Sequence, residues 1–172
     1  MLVSANMRHQ TRWISCLIAC VSLALASGCS RFDKNWKEAG QQDFPESGLA
    51  GRWMGTWTSE ADGHSGELKC LVTDLNGGAY QAAFRSKFGG IFRFDHTTTL
   101  YAVNLRGMWT FEGSEDLGLF AGGLYTYKGK AGSNKFFSTY KSRNDEGSFE
   151  MYRVKKDDPP KEKEKKKGFK LW

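Results

Sequence analysis

The side chains in this chain that could do chemistry are few and scattered. Downstream of residue 28 there are two histidines, His64 and His96, and one cysteine inside a folded-looking region, Cys70. A structural metal site needs three or four His, Cys or carboxylate ligands, so this set is too thin to hold one. Cys70 and His64 are six residues apart and would make a nucleophilic dyad only if both faced one space. Cys70, however, sits between Leu68 and Val72 at period two, which places it on an apolar strand face as a small hydrophobe. His64 falls in Gly63-His-Ser-Gly66, a turn, and His96 follows Asp95 at an apparent strand end, where it reads as solvated. The carboxylate pairs Glu115/Asp116 and Asp145/Glu146 read as loop residues. No phosphate-binding loop, Gly-x-Ser-x-Gly elbow or His-Glu-x-x-His is present. The sequence therefore argues against an enzyme and calls for no catalytic residue, metal or cofactor.

What the chain has in excess is aromatic surface: Phe, Trp and Tyr make up 14% of it. Such rings either fill an interior or line a ligand cavity. Trp57, Tyr80, Phe84 and Tyr125 are the candidates for lining one.

The elements that would position these rings are strands. From Leu49 to Val154, short aromatic and β-branched runs alternate with glycine-rich breaks, and no helical stripe lasts beyond two turns. The period predicts strands at Arg52–Thr58, Gly66–Asp74, Ala79–Phe88, Ile91–Asp95, Thr98–Leu105, Met108–Glu112, Phe120–Tyr127, Lys135–Lys141 and Ser148–Val154. Turn chemistry lies between them, as in Asn76-Gly77-Gly78, Gly113-Ser114-Glu115-Asp116 and Asn144-Asp145-Glu146-Gly147. Alternation puts Trp53, Gly55 and Trp57 on one face, with Tyr80, Ala82, Phe84 and Phe88 on another, while Gln81, Arg85 and Lys87 point away. The expected fold is all-β, an antiparallel meander of eight to nine strands closed into an up-and-down barrel, with a β-sandwich as the alternative.

The ends of the chain have other characters. Arg8 and Arg12 precede an apolar stretch from Trp13 to Ala26. That stretch suits a secretory leader and is shorter than the roughly 20 residues of a membrane-spanning helix. It closes on Leu25-Ala26-Ser27-Gly28-Cys29, which resembles the lipobox of bacterial lipoprotein signal peptides. The resemblance implies cleavage after Gly28, acylation of Cys29 and a palmitate-type membrane anchor. Ser30 after the cysteine implies the outer membrane, facing the periplasm. The expected organisation is then a signal peptide at 1–28, a lipidated, unstructured tether at 29–47, a barrel at 48–154 and a disordered basic tail at 155–172.

Charge supports that division. Without residues 1–28 the chain carries 23 Lys and Arg against 19 Asp and Glu. From Glu46 to Val154 there are 12 of each sign, whereas the tail from Lys155 holds eight Lys and four acids. The basic balance belongs to the tail, so the domain itself is not marked for nucleic acid. The Lys155–Lys170 segment offers a partner surface for an anionic envelope polymer or lipid headgroups.

A second resemblance lies at the seam of the predicted barrel. Gly51-Arg-Trp-Met-Gly-Thr-Trp57 opens the domain and Met151-Tyr-Arg153-Val closes it. A Gly-x-Trp in the first strand with an arginine near the end of the last resembles the calycins, the lipocalin and avidin group of barrels. The resemblance implies that Arg153 stacks on Trp57, which follows Gly55, and closes one end. It also implies a noncatalytic barrel that binds a small apolar ligand. The other expectation is an interaction lipoprotein with a filled core, acting through its surface and tail.

Overall fold

The computed structural model describes residues 31–119 and 122–156. The signal peptide, Cys29 and most of the basic tail lie outside the described residues. The chain divides into two compact units, with the boundary between Ala39 and Gly40.

In the first unit, residues 31–39 are helical. This corrects the expectation of an unstructured tether. The residues that make it helical sit four apart: Phe32 and Trp36 stack with ring centroids at 5.8 Å, and Lys34 reaches Glu38 at 3.9 Å. Side chains at that spacing share one helix face, so the polar run has a helical period after all, although only one repeat long.

In the second unit eight antiparallel strands follow one another and close. They are β1 (Gly51–Ser59), β2 (Ser65–Asp74), β3 (Ala79–Phe88), β4 (Phe92–Leu105), β5 (Met108–Asp116), β6 (Leu124–Ala131), β7 (Lys135–Lys141) and β8 (Glu146–Arg153). Each pairs with its neighbour in sequence, and β1 pairs with β8 from Trp53↔Arg153 to Ser59↔Gly147. The fold is thus a closed up-and-down barrel, compatible with a calycin-like architecture. Closure removes both sheet edges, which in a sandwich would leave unpaired backbone groups.

The period-two pattern organises the strands, although Phe92–Asp95 at the start of β4 are all exposed. Trp53, Leu68, Cys70, Val72, Leu100 and Phe136 point inward and are almost fully buried. Outward positions carry Lys69, Lys87, Glu112, Lys128 and Glu150. Arg85 also points outward yet is buried, its guanidinium held on the Asp95 carboxylate by two bonds of 2.7 Å.

The structure revises three strand boundaries. Ile91–Asp95 and Thr98–Leu105 are a single strand, β4, so the barrel has eight strands and not nine. Gly113-Ser114-Glu115-Asp116 is not a turn but the end of β5. Position 113 faces inward opposite Leu100 and is a glycine because a Cβ there would press on the Thr99 carbonyl and the Leu100 side chain of β4. The strand expected from Phe120 begins later, at Leu124.

Candidate functional site

The two ends of the barrel are built differently, and the difference locates the site. At one end Arg153 closes the floor. Its Nε donates to the Ser133 carbonyl at 2.7 Å, one terminal nitrogen donates to Ala50 at 2.9 Å, and the other donates to Gly48. Its guanidinium lies 4.1 Å over the Trp53 ring, and the Trp53 indole N–H donates to Leu49 at 3.1 Å.

The arginine's partner is therefore Trp53, not Trp57. Both tryptophans face inward on β1, but the register sets Trp53 opposite Arg153 and Trp57 opposite Phe149. Four residues of strand separate them, about 13 Å at 3.3 Å per residue. The tail's first residues are tied at this same end: Lys155 pairs with Glu46 at 2.8 Å and Lys156 with Asp43 at 3.3 Å.

At the other end lies a cavity of about 350 Å³. Its walls rise from almost every strand. Trp57 comes from β1, Leu68 from β2, Phe88 from β3, and Phe94 with His96 from β4. Tyr125 and Tyr127 of β6, Tyr140 of β7 and Phe149 of β8 complete the ring, with Arg93, Leu117 and Asp145 around the rim. A larger depression, about 960 Å³, lies on the outer face of β4 to β7 beside Tyr101, Val103 and Lys128. It opens sideways along the sheet, whereas the mouth cavity converges into the barrel.

Of the four residues expected to line a cavity, the structure brings two to it. Trp57 and Tyr125 stand in its wall. Phe84 lies beneath, buried against His96 at 5.0 Å and Phe149 at 5.4 Å, and belongs to the packed core. Tyr80 is at the opposite end, edge-on to Trp109 at 5.5 Å. The four share one barrel interior, but period two assigns a face and says nothing of height along the strand.

Sequence reasoning missed His96. It sits in mid-β4, opposite Phe84, and faces inward. The signal was there in Phe94, His96, Thr98, Leu100 and Ala102, an unbroken inward alternation hidden by the polar look of Asp95-His-Thr97. Its Nε2 is 3.3 Å from the Tyr127 hydroxyl, and its Nδ1 is buried without a partner among the described residues. Burial pushes the imidazole pKa down to about 4, against an upward pull from Asp95. Burial likewise raises the Tyr127 and Tyr140 hydroxyls.

A neutral, half-buried histidine has a consequence for stability. At neutral pH it is uncharged whether folded or unfolded. As pH falls from 6.5 toward 4, the unfolded chain takes up a proton that the folded chain refuses, so stability declines across that window. The wild-type protein should lose about 2–3 kcal/mol more than His96→Phe between about pH 7 and pH 4.5, read from urea unfolding curves. Equal losses in the two proteins would show that His96 is solvated in solution.

The other polar groups at this end are already engaged. Asp145 accepts from Ser59 at 2.7 Å and from the Tyr140 hydroxyl at 2.9 Å. The Trp57 indole N–H donates to the Lys87 carbonyl at 3.1 Å. His64 lies in the β1–β2 turn, exposed, and pairs with Asp62 at 2.8 Å. Cys70 is fully buried opposite Trp53, with its thiol pKa pushed well up by burial, so no dyad joins the two. Among the described residues no three His, Cys, Asp or Glu side chains are grouped to hold a metal ion.

The arrangement is a sealed floor, a packed middle and an aromatic mouth with few free polar groups. Comparisons of the chain with family models, with curated proteins and with solved structures found no match.

Proposed function

We propose that this chain is a noncatalytic, lipid-anchored protein of a bacterial envelope whose barrel takes a small apolar ligand at its mouth. The observation that carries the reading is the cavity of about 350 Å³ opposite the Arg153 floor. Its volume is within the range of ligand sites, and its walls are apolar with a few polar groups at fixed positions. Trp57 and Tyr125 would make wall contacts, and Arg153 would hold the floor shut.

Anchoring follows from the Leu25-to-Cys29 segment and from Ser30, which favour an acylated Cys29 at the outer membrane, facing the periplasm. Cys29→Ala should move the protein from the membrane fraction to the soluble fraction and abolish labelling by palmitate. Retention in the membrane with no labelling would overturn the anchor.

Ligand binding is tested by incubating the protein with total lipid extract, washing it and analysing what stays bound by mass spectrometry. Retained small molecules, lost in Trp57→Ala, are the expected result. An empty protein whose melting temperature does not change would remove the reading. A surface-acting protein with a filled core is the second reading, favoured by Tyr101, Val103 and Leu105, all more than 60% exposed on one outward stripe of β4. In that case deleting residues 156–172 should abolish partner association while leaving the fold and the membrane anchor intact.

A further inference from the structure

We infer that the mouth is shaped for a planar aromatic ring system, not for a flexible acyl chain. The inference rests on the ligand-binding reading above and names the chemistry of that ligand.

The walls supply the first argument. Among the described residues only Leu68 and Leu117 contribute aliphatic side chains, while aromatic rings come from β1, β3, β4, β6, β7 and β8. An acyl chain gains the same burial from any apolar wall. A flat ring gains more, because offset stacking contributes beyond the area buried.

Ring orientation supplies the second. On the β6 to β8 side of the mouth neighbouring rings are tilted little from one another, Tyr125 and Tyr127 by 21°, Tyr125 and Tyr140 by 29°, Tyr140 and Phe149 by 28°, whereas Trp57 and Phe88 differ by 45°. His96 and Tyr127 differ by 15°. A flat ligand lying parallel to one of these rings is therefore nearly parallel to the next. A wall of randomly turned rings would not offer that.

Charge at the rim calls for no ionic group on the ligand: Arg93 lies across the strands from outward-facing Lys87, and both oxygens of Asp145 already accept hydrogen bonds. Volume sets the size. A cavity of about 150 Å³ holds a single benzene ring, so about 350 Å³ admits two or three fused rings with a substituent.

The test compares two carboxylates of similar bulk, 2-anthracenecarboxylate and decanoate, titrated calorimetrically into the full-length protein, with neutral anthracene as a third probe. The aromatic acid should bind about tenfold more tightly than decanoate. Tyr125→Leu should reduce that preference to about threefold or less without weakening decanoate. Decanoate binding as tightly as the aromatic acid would overturn this inference and leave the ligand-binding reading standing. Failure of all three probes to bind would overturn both.

Discussion

Arg153→Ala is expected to destabilise the barrel by about 3–5 kcal/mol, among the largest single-residue effects in this protein. The guanidinium donates to the carbonyls of Gly48, Ala50 and Ser133 and covers Trp53. Removing it leaves three carbonyl groups without their donor and opens space over the indole. The arginine also ties the segment before β1 to the β6–β7 turn, so the floor should loosen as a unit. Arg153→Lys keeps the charge but cannot fork to three acceptors, and should recover less than half of the loss. Urea denaturation of both variants at neutral pH measures this. A loss below about 1 kcal/mol for Arg153→Ala would mean that the floor does not hold the barrel shut.

The second large effect is expected at Gly55, where conformational freedom is not the issue. A Cβ there would overlap the Glu150 carbonyl of β8 and lie 2.7 Å from the Met151 Cα, both of them backbone. Neither can move without breaking the β1–β8 seam that closes the barrel. Gly55→Val should therefore cost about 4 kcal/mol or more and yield a chain that folds poorly or not at all. Gly63 is the contrast. Its φ is +74° with nothing near its missing side chain, so Gly63→Ala carries only the backbone cost of about 1 kcal/mol. Thermal melts of the two variants side by side test the distinction. Equal losses would show that seam contact is not what excludes a side chain from position 55.

A good part of this fold was legible in the residues. The alternation of Leu68, Cys70 and Val72, and of Tyr80, Ala82 and Phe84, assigned faces that the structure shares. Asn76-Gly77-Gly78 marked a turn, and its residues have positive φ, as a tight reversal between β2 and β3 needs. The errors arose where polarity and strand period disagree. Asp95-His96-Thr97 looks like a break because two of its residues face out. It continues a strand because Asp95 pairs outward with Arg85 while His96 packs inward against Phe84. Gly113 looks like a turn signal, yet it marks a point of close approach between β4 and β5.

The site was less legible, for a geometric reason. Trp57 and Tyr125 were singled out and do border the mouth, while Tyr80 and Phe84 were singled out by the same logic and do not. Two tryptophans four residues apart on one face, Trp53 and Trp57, are equivalent to a period-two reading. Only the pairing of β1 with β8 decides which of them lies under Arg153.

From its order of residues alone this chain determines that it is a strand protein, which side chains face inward, and where most of its reversals fall. Those properties are local: they depend on backbone preference and on an alternation readable within ten residues. Tertiary structure decided that the meander closes, which end is floored and which is open, and that His96 is an inward-facing wall residue. Those properties depend on register between strands as far apart as residues 53 and 153, and register is a relation between segments that neither contains by itself.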